Sequence, residues 1–244
     1  MLHISPRAEE IFNIAGFPVT NALLLTGVVL ILLAIISVVF RKRFKIIPGG
    51  AQNVMEFIVE SVLDIMEPLY GGRKKAEKYL PWIITLFVFI LFSNWLGLFP
   101  GVGSVGIWRG GEFTPLLRAP ASDLNFTLAL AIVSVVLIHI FALMALGAKL
   151  HLSKFINFES PIKFFIGLLE IVSEIAKVIS FSFRLFGNIF AGEVLLTVML
   201  FLVPYIIPLP FLALEIFVGF VQALVFSMLT LVFMKMATMA QEAH

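Results

Sequence analysis

Long uncharged runs separated by short charged segments divide the chain. Ile11–Phe40 holds no Asp, Glu, Lys or Arg. About 20 residues at 1.5 Å rise cross a 30 Å hydrocarbon core. This run therefore predicts one crossing, Pro18–Phe40, after an outside N-terminus at residues 1–17. It stops at Arg41-Lys42-Arg43-Phe44-Lys45, a basic segment that reads as cytoplasmic. Tyr79–Trp108 is also uncharged and predicts a crossing at Leu80–Phe99, followed by an outside loop at residues 100–122. A third crossing is predicted at residues 124–147, and Lys149, Lys154 and Lys163 place the next loop inside.

Two further helices are long. Ser160-Pro161 is a good helix start, with Ser at the N-cap and Pro at the first helical position. Nothing interrupts the pattern until Pro204, so a helix over residues 161–203 would be roughly 64 Å long, twice the core thickness. Such a helix must tilt steeply, kink or run along the interface. Pro204, Pro208 and Pro210 are expected to make an outside turn, and Phe211–Gln241 to return inside as a tilted partner. Between the first two crossings, Ala51–Tyr70 predicts an amphipathic surface helix. Glu56, Glu60, Asp64 and Glu67 share one face, and Val54, Ile58, Val62, Ile65, Met66 and Leu69 the other. It reads as an interfacial anchor, or, because a lipid-binding helix favours Lys and Arg on its polar face, as a contact for another protein. The predicted fold is an all-α membrane protein: five crossings plus this surface helix, the last two forming a steeply tilted hairpin.

Composition agrees. Of 244 residues, 61% are hydrophobic and 13% charged, against about 25% charged in soluble domains. A net charge of +2 offers no basic patch for nucleic acid. With Cys 0, disulfides, thiol catalysis and Cys-ligated metal are excluded. His3, His139, His151 and His244 are scattered without metal-ligand spacing, and no cofactor motif is present. Pro6, Arg7, Glu9 and Glu10 argue against a cleavable signal. Gly101-Val102-Gly103-Ser104-Val105-Gly106 matches G-x-G-x-x-G, but it follows a crossing where a nucleotide site requires a strand, so it reads as a flexible loop. Asn125-Phe126-Thr127 is a sequon at a span entrance. There is no P-loop and no Ser-His-Asp arrangement.

Ionisable groups inside spans are costly, about 2.5–3.5 kcal/mol each, and mark ion paths or binding sites. The last two helices concentrate them. Glu170, Glu174, Lys177, Arg184 and Asn188 lie at spacings of four, three, seven and four, one stripe on one helix face. Glu193 lies about half a turn away from that stripe. On the last helix, Glu215 and Gln222 share a face, with Gly219 between them to allow close packing. Glu174 and Lys177 either neutralise each other or serve the path, and Lys235 is expected to snorkel. Arg184 stays charged at any biological pH and has no acid three or four residues away. Its partner is therefore expected on another chain.

Ser182-Phe183-Arg184-Leu185-Phe186-Gly187-Asn188-Ile189-Phe190-Ala191-Gly192-Glu193 resembles the signature of the a subunit of rotary F-type ATP synthases. Gln222-Ala223-Leu224-Val225-Phe226 is similar to that family's second motif. Asn94-Trp95-Leu96-Gly97-Leu98-Phe99-Pro100 and Asp123-Leu124-Asn125 also look familial. The resemblance covers nearly the whole chain. It implies a non-catalytic stator subunit in a bacterial plasma membrane, N-terminus outside and C-terminus cytoplasmic. The implied partners are a c-subunit ring, peripheral-stalk b subunits and the rest of the ATP synthase. Protons would enter one half-channel, load a ring carboxyl and leave through a second half-channel. Arg184 would attract the deprotonated ring carboxylate and block a direct leak. Asn188 and Gln222 match polar positions beside the arginine. Glu193 and Glu215 match the outside half-channel, while Glu170 and Glu174 would line the inner one. Asp123 would line the outer entrance or cap a helix.

The sequence departs from the family in two places. Many members pair an acid with a histidine where Glu193 and Glu215 stand, and two acids brought close would share a proton. Ala176-Lys177-Val178 replaces a frequent Arg-Pro, and the resemblance gives His139 no role beyond packing or a water contact. Rival readings are a sodium-coupled version of the same subunit, a self-contained secondary transporter and a structural anchor. A transporter would favour internal repeats with broken helices, and an anchor leaves Arg184 unexplained.

Overall fold

The computed structural model describes residues 8–14, 16–109, 112–155, 160–203 and 206–239. Pro204 and Gln241, the expected ends of the two long helices, lie outside the described residues, as do Pro6, Arg7, His3 and His244. The protein is an all-α membrane protein with small β-hairpins in its loops. Five described helices are long and apolar enough to cross a membrane.

The uncharged block from Ile11 does not enter the first helix at Pro18. Strand β1 (Glu10–Ile14) pairs antiparallel with β2 (Phe17–Thr20), and helix α1 runs Asn21–Arg43. Gly16, at φ +88°, makes the turn. Thr20 Oγ1 accepts the Leu23 N–H at 3.2 Å and so caps the helix three residues later than hydropathy placed its start. Asn21 is fully buried at this junction, accepting from the Glu9 and Ala22 N–H groups.

Helix α2 (Gly50–Tyr70) is amphipathic, but its buried face is not quite the expected one. Val62, Leu63, Met66 and Tyr70 are buried, while Val54, Ile65 and Leu69 are exposed. The reason is α3 (Arg73–Gly97), which packs along the C-terminal half of α2 and selects that face. Gly71 and Gly72, at φ +67° and +140°, allow the tight reversal between them. Arg73 then bridges the helices through Glu60 at 2.7 Å. The charged segment before Leu80 thus belongs to the same helix as the crossing.

After α3 come β3 (Pro100–Gly103), the hairpin β4 (Gly106–Arg109) and β5 (Glu112–Pro115), and a 3-10 turn at Pro120–Ser122. The G-x-G-x-x-G stretch is therefore preceded by a helix and followed by a strand, the reverse of a nucleotide cradle. Helix α4 (Leu124–Leu146) ends at Gly147, and a short α5 (Ala148–Ser153) follows. The long α6 (Pro161–Leu202) runs back against α4 and α7 (Pro208–Thr238). Ser160 holds the N-cap position of α6, although its hydroxyl makes no cap hydrogen bond. Pro208 and Pro210, expected in the turn, lie within the first turn of α7, where an N–H has no helical acceptor to lose.

Two apolar clusters hold the bundle. One joins Ile90, Ala131, Phe181, Leu185, Ala223 and Phe226 from α3, α4, α6 and α7. The other joins Met66, Ile83, Ile138, Leu231 and Met234 nearer the basic end, where α2 and α5 lie. Several polar side chains inside the bundle find acceptors, as a low-dielectric interior favours, although Ser93 Oγ and the Tyr70 hydroxyl are buried without a partner among the described residues. Ser134, Ser227 and Thr230 donate one turn back along their own helices, and Thr127 and Ser182 meet at 3.1 Å between α4 and α6. The Asn-Trp pair of α3 docks on α7: Asn94 Nδ2 donates to Gly219 O and Trp95 Nε1 to Ile216 O, both at 3.0 Å. A Cβ on Gly219 would stand 3.1 Å from Asn94 Cβ, so this approach uses the bare glycine.

Candidate functional site

One continuous helix holds Glu170, Glu174, Lys177, Arg184 and Asn188 in register. At 1.5 Å per residue, Arg184 stands roughly 15 Å along the axis from Glu174 and roughly 14 Å from Glu193. It is half-buried. Its Nη2 donates to the Ser180 hydroxyl at 3.2 Å, and Asn188 Nδ2 donates to the Arg184 carbonyl at 2.9 Å. Among the described residues no carboxylate forms an ion pair with Arg184. Asn188 is exposed and Gln222 half-exposed, and no hydrogen bond joins Gln222 to Arg184 among the described residues. The result is a fixed positive charge at mid-helix, held by neutral groups only.

Toward the basic end, side chains that looked scattered converge. Gly147, at φ +79°, turns the chain between α4 and α5 and brings His151 beside His139. His139 Nδ1 lies 3.2 Å from His151 Nε2, and His139 Nε2 lies 3.5 Å from Glu174 Oε2. Lys177 Nζ donates to the other Glu174 oxygen at 2.6 Å and sits 5.1 Å above the Phe233 ring. The i,i+3 neutralisation of Glu174 by Lys177 is thus present, and His139, which packs edge-on against Phe155, is also a contact of the same carboxylate. Glu170, Glu174, Lys177 and both histidines border an open cavity of about 450 Å³. Burial, with smaller contributions from His139 and Lys154, pushes His151 below the usual histidine range, while Glu174 opposes this.

At the opposite end, Glu193 and Glu215 have different surroundings. Arg118 Nε lies 3.2 Å from Glu193 Oε1 and also donates to Ser122 Oγ at 3.0 Å. Its Nη2 reaches Glu193 Oε2 at 3.4 Å. Arg118 is 8% exposed. Nothing in its spacing along the sequence points to Glu193. Glu215 is 5% exposed and forms no ion pair or hydrogen bond among the described residues. Its carboxyl lies directly on Gly192, filling the place a Cβ would take there. The two acids therefore approach through Gly192 without pairing, and Glu193 is held by Arg118 instead.

Asp123 is the N-cap of α4, its Oδ1 accepting the Asn125 N–H at 3.1 Å. It also borders a second open cavity of about 360 Å³, together with Glu10 and Thr20. Neither Glu193 nor Glu215 borders that cavity. Lys235 stands 5.2 Å over the Tyr70 ring, tying α7 to α2.

A family model described as ATP synthase A chain matches residues 22–235, which include every residue named on this path from Asp123 to Gln222. The chain belongs to the ATP synthase A chain family. It is 38% identical over 221 residues to an ATP synthase subunit a of Campylobacter jejuni, covering 89% of this chain and 90% of that one. An ATP synthase subunit a of Moorella thermoacetica is 31% identical over 96% of both chains. One from Helicobacter pylori is 33% identical over 97% of this chain and 99% of its own.

Proposed function

We propose that this chain is the proton-translocating stator subunit of a rotary F-type ATP synthase, working against a ring of c subunits and held by peripheral-stalk b subunits. It is not catalytic by itself, and it lies in a bacterial plasma membrane with its N-terminus outside and the basic end facing the cytoplasm. The observation that carries the reading is Arg184: a permanent charge at mid-helix with no ion pair among the described residues, between two separate sets of acids. A ring carboxylate is the missing counter-charge. Arriving protonated from lipid, it would lose its proton beside the arginine, because a fixed cation favours the charged form.

The acids on either side then serve as half-channels. Glu170 and Glu174, on the 450 Å³ cavity, form the inner one. Glu215 and Glu193 form the outer one, with Asp123 near its entrance. Glu215 is assigned as the proton carrier of that pair, because Glu193 is already engaged by Arg118. Helices of 42 and 31 residues, α6 and α7, exceed the membrane thickness and reach the ring as a steeply tilted hairpin. The driving force is about 2.3 kcal/mol per charge per 100 mV.

The test is ATP-driven acidification of vesicles holding the whole complex in sodium-free medium. Acidification by the unaltered complex, lost in Arg184→Ala, supports the reading. Normal acidification by Arg184→Ala overturns it, and transport that requires sodium replaces the proton with the sodium ion.

A further inference from the structure

The cluster His151–His139–Glu174–Lys177 draws on three separate elements, α5, α4 and α6. It stands where the inner cavity meets the polar stripe. From this arrangement we infer that His139 and His151 form a proton wire that carries protons between Glu174 and the mouth of the cavity. The inference rests on the inner half-channel proposed above and names the groups that work it.

The geometry fits proton hopping. His139 has one ring nitrogen toward Glu174, at 3.5 Å, and the other toward His151, at 3.2 Å. A small ring rotation closes the longer gap. Take both imidazoles neutral with the proton on Nδ1. A proton on the Glu174 carboxyl passes to His139 Nε2, the His139 Nδ1 proton passes to His151 Nε2, and the His151 Nδ1 proton leaves to water in the cavity once the ring has turned that nitrogen outward. Glu174 is again a carboxylate, and both imidazoles are neutral with the proton on Nε2. Ring turnover or tautomer exchange restores the starting state, and the sequence runs backwards during ATP-driven pumping. Protons and charge balance at each step.

The surroundings suit the task. His151 lines the cavity but is 5% exposed with its Nδ1 buried, so release of the proton requires the ring to turn that nitrogen toward the cavity. Among the described residues that line the cavity, the charged groups around the pair are Glu170, Glu174, Lys177 and Lys163 from α6 and Lys154 after α5, while α7 contributes apolar side chains such as Phe233 and Met236. Burial and the neighbouring cations favour the neutral imidazole in His151, which is the form that accepts a proton. Lys177 neutralises the Glu174 charge, so the carboxylate can remain in a half-buried position.

The experiment uses the whole ATP synthase in vesicles with its catalytic head outward, so that the cavity opens to the medium. ATP-driven acidification is measured for His151→Ala and His151→Gln, with co-purification of the ring confirming assembly. Removing a positioned proton-transfer group should slow acidification at least about tenfold in both. Imidazole in the medium should restore the rate in His151→Ala, whose cavity admits it, and not in His151→Gln, whose side chain fills the space. Pyrazole has the same size but is too weak a base, and it should restore neither. Equal rescue by pyrazole would assign His151 to packing and overturn the wire. Normal acidification by an assembled His151→Gln complex overturns it too, even where His151→Ala fails to assemble. Arg184→Ala serves as the control: if that variant also pumps normally, the half-channel reading itself has failed, whereas loss there beside normal pumping in both His151 variants sinks the wire alone.

Discussion

Arg118 meets Glu193 across 75 residues of sequence, pinning the loop before α4 to the C-terminal third of α6. The arginine is buried and gives one donor to Ser122 as well, so its charge is desolvated and Glu193 supplies it a counter-charge. Removing one partner of such a pair leaves the other uncompensated. Glu193→Gln should lower the stability of the assembled complex by about 2 kcal/mol, the scale of a hydrogen bond to a charged group. Arg118→Met with Glu193→Gln should cost less than the two single changes added together. A thermal-unfolding double-mutant cycle measures this coupling, and strict additivity would mean that the pair contributes nothing.

The seating of Glu215 on Gly192 gives the second prediction. In Gly192→Ala the new methyl takes the space of the Glu215 carboxyl, which must move. The same change favours the helix by about 1 kcal/mol, since Ala replaces Gly within it. ATP-driven acidification should therefore fall severalfold while the helix content of the purified complex stays unchanged. Glu215→Gln should impair acidification more than Glu193→Gln, because Glu193 is tied to Arg118. The opposite order would move the carrier role to Glu193.

These contacts mark the boundary of what the sequence revealed. Helix α6 was legible from Ser160-Pro161 onward because helical period and end signals are local. The start of α1 was not, because an uncharged strand pair and an uncharged helix have the same hydropathy. Gly16 and Pro18, both turn residues, carried the missing signal. The polar stripe from Glu170 to Asn188 was readable because all its members ride one helix. Arg118 and the His139–His151 contact were not, since each joins separate elements. Gly147 between the two histidines hinted at a reversal, but a turn's direction is set by packing and not by composition. The buried face of α2 depended in the same way on where α3 lay.

Histidine burial gives a prediction for pH. His151 binds its proton less readily in the folded chain than the ordinary value of 6.5 implies. Above that value both folded and unfolded forms are neutral, and the group has no effect. As pH falls below 6.5 the unfolded chain takes up the proton first, so stability drops until the folded group titrates as well. The thermal stability of the purified complex should decline from pH 7.5 to pH 5 more steeply with His151 than in His151→Gln. Parallel curves for the two proteins would remove this contribution.

Arg184 gives the last prediction, which separates charge from chemistry. Its Nη2 donates to the Ser180 hydroxyl at 3.2 Å, and no carboxylate among the described residues forms an ion pair with it. A barrier between two half-channels needs a cation that cannot itself release a proton. Arginine meets that condition because a guanidinium keeps its proton at any biological pH, whereas a buried lysine ammonium loses its proton readily. The guanidinium also offers several donors in a planar fork, so one arm can stay on Ser180 while another meets an arriving carboxylate. Arg184→Lys should therefore fail in ATP-driven acidification even though it keeps the formal charge. Arg184→Ala should go further and let protons leak passively through vesicles under an imposed potential, since the unpaired cation at mid-helix between the two sets of acids is then gone. ATP hydrolysis by the detached catalytic head should be unchanged in both. Passive flux measured without ATP, side by side for the two variants, decides the matter: an Arg184→Ala complex as tight to protons as the unaltered one would mean that the barrier lies elsewhere in the path.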